Sequence, residues 1–193
     1  MIRAVVFDIG GVLEIVDDDR WQDQWMSRWE YAPGAIRSSP YLGPTEVDFR
    51  ARIAPFVSDV DAAMADFWDA YCGQLDVAMR DFVASLKPAL IVASLSNSGD
   101  GARREEQRRY GFEQLFDLMV YSHEVGVEKP DAAIYELTQQ RLGVQPDEIV
   151  FLDDREAAVE GARAAGWHAV LHVSTPESIA AIRAIIAHPP QLA

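Results

Sequence analysis

Residues 3–13, Arg-Ala-Val-Val-Phe-Asp-Ile-Gly-Gly-Val-Leu, constrain the chain more than any other stretch. Ala4, Val5, Val6 and Phe7 form a short apolar run rich in β-branched residues, the pattern of a strand covered on both faces. Asp8 follows without a transition, and two glycines, Gly10 and Gly11, come close behind. A carboxylate at the end of a buried strand is costly unless something there needs it. The glycines let the backbone turn sharply and come close to a ligand. In open α/β sheets ligands sit just beyond the carboxyl ends of the strands. Asp8 therefore stands where a nucleophile or metal ligand would, the alternative being an aspartate that only opens a turn.

Helical periodicity replaces strand patterning after this point. Trp21, Trp25 and Trp29 recur every four residues and line one helix face. That stripe reads as the core of a helical block, with a substrate-gripping wall as the alternative. Residues 31–44, with Pro33, Gly34, Pro40, Gly43 and Pro44, read as loop. Thr45 caps a helix through Ile53 that Pro55 ends, residues 59–72 form a second helix stopped by Gly73, and residues 76–86 form a third, closed by Pro88. No convincing buried strand is legible between residues 14 and 87.

Regular strand–helix alternation then resumes: strand 90–95, helix 100–110, strand 118–121, helix 131–142, strand 149–152, helix 156–165, strand 168–173 and a last helix capped by Thr175 with Pro176 behind it. Such alternation predicts an α/β protein with a doubly wound parallel sheet. The expected organisation is a core made of residues 1–13 and 88–193, with an α-helical cap inserted at 14–87.

A chain of 193 residues with 49% hydrophobic content can build a full core. Seventeen basic against 31 acidic residues give a net charge of −14, which opposes binding to nucleic acid or to an anionic membrane surface. The single cysteine, Cys72, allows no intrachain disulfide and fits a reducing compartment. No segment has the make-up of a signal peptide or approaches the roughly 20 apolar residues of a membrane helix, so the expected location is cytoplasmic. The sequence does not indicate an oligomeric state.

The ends of the strands carry unusual polar groups: Asp8, then Ser96-Asn97, then Lys129 in the loop after the third strand, then Asp153-Asp154. Each has a plain reading alone: a turn hydroxyl, a solvated lysine, an acidic helix cap. Parallel strands bring these ends to one edge, where three carboxylates repel unless cations sit among them. Lys129 supplies one positive charge, and hard oxygen donors suit Mg2+ as the other.

The ordered motifs FDIGGVL, LSNS, EKP and FLDD, with EGARAAG behind the last, resemble the haloacid dehalogenase-like (HAD) hydrolases, in particular a phosphatase branch with a helical cap after the first motif. The resemblance covers nearly the whole chain. It implies that Asp8 is a nucleophile forming an aspartyl-phosphate, with Ser96 and Lys129 as further catalytic groups. It implies that Ser96, Asn97 and Lys129 bind the phosphoryl group, and that Asp8, the Gly10 carbonyl, Asp154 and, as an outer ligand, Asp153 hold Mg2+. The implied activity is phosphate removal from a small phosphorylated metabolite, with a cap that sets specificity.

One departure stands out. Most phosphatases of this superfamily place a second aspartate two residues after the nucleophile as general acid and base, and this chain has Gly10 there. A general acid contributes about a hundredfold or more. The pattern resembles a branch that includes sugar-1-phosphate phosphatases, and Asp17, Asp18 and Asp19 follow close by as alternative donors or simply solvated acids. Two other readings stay open: a metal-independent 2-haloacid dehalogenase, with Arg20 holding the substrate carboxylate, and a weakly catalytic phospho-ligand-binding regulatory protein.

Overall fold

A computed structural model describes residues 1–16, 25 and 45–190. Five parallel strands form the sheet: β1 (Ala4–Phe7), β4 (Ile91–Ser96), β5 (Leu118–Tyr121), β6 (Ile149–Asp153) and β7 (His168–Leu171), in the order β5-β4-β1-β6-β7. β1 is central, and all four of its residues are buried, as its uninterrupted apolar run requires. The doubly wound α/β architecture expected from the alternation is present.

Alternate residues of the strands feed two cores. On one face Ala4, Val6, Ala93, Leu95, Val120 and Phe151 pack with helix α7 (Ala132–Leu142) and helix α8 (Glu156–Ala164). On the other, Val5, Phe7, Val92, Val150 and Leu152 pack with helix α3 (Val77–Ser85), helix α4 (Ala102–Tyr110) and helix α9 (Thr175–Ala187). This second core continues without a break into helices α1 (Glu46–Ile53) and α2 (Val60–Cys72), through Ile53, Ala63, Met64 and Trp68. Trp25 lies in it, 2% exposed, its indole N–H donating to the Ala63 carbonyl at 2.9 Å and its ring set against Phe49 and Phe67. Of the tryptophan stripe, Trp25 is thus a core residue, while Trp21 and Trp29, with the loop 31–44 and the Asp17–Arg20 acids and arginine, lie outside the described residues. Helix α3, at the end of the segment 14–87, sets Phe82 edge-on to Phe7 of β1, ring centroids 6.3 Å apart.

Several elements differ from the sequence reading. Glu14–Ile15 (β2) and Gln74–Leu75 (β3) pair antiparallel within the stretch read as free of strands. Two residues are too few to carry a period. Short helix α5 (Phe112–Leu115) lies in a stretch given no element by the sequence, and short helix α6 (Ser122–Val125) opens the loop after the third strand. Helix α4 begins at Ala102 behind Gly101 (φ 97°), because the Asp100 side chain accepts the Glu46 N–H at 2.8 Å instead of capping its own helix. Ser174 rather than Thr175 holds the cap position of α9, since the Thr175 hydroxyl donates to Asp76. Among the described residues no helix is long and apolar enough to cross a membrane.

Candidate active site

The register of the central strands sets the site. Phe7 pairs with Leu152 across β1 and β6, and the Asp8 N–H donates to the Leu152 carbonyl at 2.8 Å. Asp8 and Asp153 therefore project side by side from adjacent strand ends, on the face of Ala4, Val6 and Phe151. Lys129 reaches between them from the loop before α7. Its Nζ lies 2.9 Å from Asp8 Oδ1 and 2.6 Å from Asp153 Oδ2, and 5.5 Å from the Phe151 ring centroid. The second Asp153 oxygen accepts the Arg155 N–H at 2.8 Å, so both of its oxygens are engaged. Asp8 Oδ1 also accepts the Ile9 N–H at 2.8 Å.

Asp154 lies at the rim beside this pair, partly open to solvent, and one oxygen each of Asp8, Asp153 and Asp154 lies within 4.8 Å of the others. Burial first, and then the Asp153 carboxylate, raises the Asp8 carboxyl well above its usual range, although Lys129 pulls it down. Asp154 is raised by the same two causes, burial and Asp153. Burial alone would lower the Lys129 ammonium, but Asp8 and Asp153 hold it above its ordinary value, so it stays charged. Three carboxylates facing one ammonium leave an excess of two negative charges. That excess, on a donor set made only of oxygens, fits a hard divalent cation such as Mg2+.

The first motif closes the site from one side. The N–H groups of Leu13 and Glu14 both donate to the Ile9 carbonyl, and Gly11 donates to the Glu14 carbonyl at 2.8 Å, which folds residues 9–14 into a tight turn. Gly11 has φ 76°, and a Cβ there would fall 2.4 Å from Asp154 Oδ2, so only glycine lets Asp154 come this close. Gly10 differs: a Cβ would meet nothing within 4 Å.

The second motif comes from β4. Ser96 is the last residue of that strand, 3% exposed, and among the described residues its hydroxyl has no hydrogen-bond partner. The Asn97 side chain faces the lysine loop. Its Oδ1 accepts the Lys129 N–H at 2.8 Å and its Nδ2 donates to the Lys129 carbonyl at 2.9 Å. One residue further, Ser122 Oγ accepts the Ser98 N–H at 2.9 Å, and Ser98 Oγ lies 2.8 Å from His123 Nδ1. The structure thus gathers Asp8, Lys129, Asp153 and Asp154 at one point, places Ser96 on a neighbouring strand end, and turns Asn97 onto the lysine loop.

Sequence reasoning overlooked a second acidic group nearby. Glu14 and Glu106 are each 1% exposed, and each keeps one carboxylate oxygen, Oε1, without a hydrogen-bond partner among the described residues. The Tyr121 hydroxyl donates to the other oxygen of Glu106. Burial raises both carboxyls, Glu106 to about 7 and Glu14 well above its usual range, with Glu106 adding to the shift of Glu14. The available signal was helical spacing: Ala102 and Glu106 are four apart and share the buried face of α4.

Comparison with known proteins identifies the family. The family model for haloacid dehalogenase-like hydrolases matches residues 2–166. A phosphorylated carbohydrates phosphatase of Thermotoga maritima is 36% identical over 86 residues, which cover 45% of this chain and 39% of that enzyme. A predicted HAD-like family hydrolase from Porphyromonas gingivalis superposes with a TM-score of 0.80 at 21% identity, covering 99% of this chain and all of that one. A HAD family enzyme from Bacteroides thetaiotaomicron, in complex with magnesium and inorganic phosphate, superposes with a TM-score of 0.75 at 21% identity, over 90% of this chain and 95% of that one. At such identities the two structures speak for the fold alone, and the chain spans well under half the length of the Thermotoga enzyme. With the family model matching from the first strand to the glycine after α8, the chain belongs to the haloacid dehalogenase-like hydrolases.

Proposed function

We propose that the protein is a Mg2+-dependent phosphatase that acts on a small phosphorylated metabolite through an aspartyl-phosphate on Asp8. The carrying observation is the Lys129 ammonium set 2.9 Å from Asp8 and 2.6 Å from Asp153, with Asp154 in common reach. An Asp8 oxygen attacks phosphorus, the bond to the leaving oxygen breaks, and water then hydrolyses the acyl phosphate to release inorganic phosphate and regenerate the carboxylate. Lys129 pulls the Asp8 carboxyl down against the effect of burial and balances charge on the phosphoryl oxygens in a site where such charge is poorly screened. Ser96 donates its unengaged hydroxyl to the same oxygens.

Asp8, Asp154 and the Gly10 carbonyl would hold the metal, with Asp153, whose oxygens already have partners, as an outer ligand. When bound, the metal offsets the charge of the nucleophile and the phosphoryl group. The helical segment 14–87 would cover the site and select the leaving group. A phosphorylated-carbohydrate phosphatase among the relatives is in keeping with a sugar phosphate as substrate.

Gly10 favours one other reading, a 2-haloacid dehalogenase, because halide leaves without a proton. The three-carboxylate cluster speaks against it, since a dehalogenase of this family works without metal and gains nothing from Asp154. A panel of phosphorylated metabolites assayed for phosphate release with Mg2+ and with excess EDTA separates the two. Phosphate release that needs Mg2+ is expected. Full turnover in EDTA, or halide release from a 2-haloacid under those conditions, overturns the phosphatase reading.

A further inference from the structure

The buried lysine poses a positioning problem that the fold answers in a specific place. Lys129 belongs to no helix or strand; it lies in the loop between α6 and α7, yet its ammonium must sit between two carboxylates with 5% of the residue exposed. A long side chain holds such a point only if its own backbone is fixed. Asn97 grips that backbone from both sides, accepting the Lys129 N–H at 2.8 Å and donating to the Lys129 carbonyl at 2.9 Å. The loop carrying Asn97 is itself held: Ser122 Oγ accepts the Ser98 N–H at 2.9 Å and donates to the Ser98 carbonyl at 3.3 Å. The end of β5 thus fixes the loop after β4, and that loop fixes the lysine.

We propose that Asn97 is a positioning residue that acts through Lys129, seating its ammonium between Asp8 and Asp153, and does not itself bind the phosphoryl group. Both ends of the Asn97 amide face one peptide segment, so the lysine loop sets how the amide is oriented. This inference rests on the role given above to Lys129.

The chain has only two lysines, Lys87 and Lys129, which makes a direct test possible. Lys87 pairs with Asp117 at 2.8 Å with 29% of its side chain exposed, against 2% for Lys129, and serves as the internal reference. Amine labelling read by mass spectrometry on the native protein should leave Lys129 nearly unmodified. Asn97→Ala should raise labelling of Lys129 at least tenfold, with Lys87 unchanged. Asn97→Asp, which keeps one acceptor but sets an oxygen against the Lys129 carbonyl, should raise it too, and covers the case that the alanine variant does not fold.

Kinetics with an aryl phosphate as probe supply the second arm. Losing two hydrogen bonds that aim a charge should lower kcat/KM by about tenfold or more. Asn97→Ala made on Lys129→Ala should then cost nothing further, because the single path through the lysine is already broken. Unchanged Lys129 labelling in both variants, or losses that multiply in the double variant, would overturn the proposal. If the wild type releases no phosphate from any ester, it is the phosphatase reading that fails, and labelling alone decides the role of Asn97.

Discussion

Glu106 offers the sharpest check on the electrostatics of this fold. It sits on the inner face of α4, 1% exposed, with its carboxyl pushed up to about 7 from an ordinary 4.5. Burial is the main cause, and the Tyr121 hydrogen bond and Arg103 pull the other way without overcoming it. The folded state therefore prefers the neutral acid more than the unfolded chain does. The stability that follows is fully present below the unfolded pKa near 4.5 and is lost as pH rises through about 7. A difference of this size, at 1.36 kcal/mol for each pH unit, corresponds to about 3 kcal/mol between acid and neutral conditions. That is a large share of the stability of a domain this size.

Glu106→Gln mimics the protonated acid and can still face the Tyr121 hydroxyl. Its unfolding free energy, from urea titrations in metal-free buffer, should match the wild type near pH 4.5 and exceed it by about 3 kcal/mol at pH 8. Part of the gain at pH 8 comes through Glu14, which loses a repelling neighbour. The comparison cancels the other raised groups, Asp8 and Asp154, because both proteins carry them. A wild-type-to-variant difference that stays constant from pH 4.5 to pH 8 would refute the argument, since it would mean Glu106 titrates alike in both states.

Asp8→Asn should abolish turnover and, without metal, leave the protein as stable as or more stable than the wild type at neutral pH. The amide removes a buried charge that Lys129 only partly offsets; retention of a tenth of the activity would exclude the covalent mechanism. Gly11→Ala should weaken Mg2+ binding at least tenfold, measured by calorimetry, because its Cβ would fall 2.4 Å from Asp154 Oδ2 at a backbone φ of 76°. Phosphate release across a series of aryl phosphates should depend steeply on leaving-group pKa, and Gly10→Asp should flatten that slope, since nothing lies within 4 Å of a Cβ at this position. A flat slope in the wild type with chemistry limiting would mean that an acid reaches the leaving group from elsewhere.

The parts of this fold that could be read from sequence are those with a long physical signature. β1, β4 and β6 are covered on both faces, so their apolar runs are continuous. The helices between them end at glycines such as Gly111 and Gly143, both at φ near 70°. Asp8 was legible because a carboxylate next to such a run is improbable without a purpose. The β2–β3 pair was not, because two residues show no alternation. Nor were the contacts of Asn97: an amide in a strand-end loop looks the same whether it meets a ligand or a neighbouring peptide, and here its oxygen and nitrogen lie 2.8 and 2.9 Å from the Lys129 backbone. Glu106 was hidden for a different reason. In Ala-Arg-Arg-Glu-Glu-Gln-Arg-Arg-Tyr it is surrounded by charges that are solvated, and its burial follows from tertiary packing on Tyr121 rather than from local pattern.

The two acidic groups show what the fold does with buried carboxylates under a net charge of −14. At the sheet edge Asp8, Asp153 and Asp154 meet a lysine delivered by a loop, and the remaining excess attracts a cation. Around Glu14 and Glu106 no lysine arrives. Arg109 lowers Glu14 and Arg103 lowers Glu106, but both carboxyls stay raised. The edge group has a buried ammonium that lowers Asp8 against the effect of burial, and the other group has only guanidinium groups for the same purpose. The consequence for function is spatial. A divalent cation fits the cluster that holds Asp8, because three carboxylate oxygens share one point there, whereas burial pushes up the Glu14 and Glu106 carboxyls and the two repel. Replacing Lys129 would remove the ammonium that pulls Asp8 down and so push its carboxyl higher still. In this reading the buried lysine does more than steady a phosphoryl oxygen: it opposes the effect of burial on the carboxylates that would hold the metal.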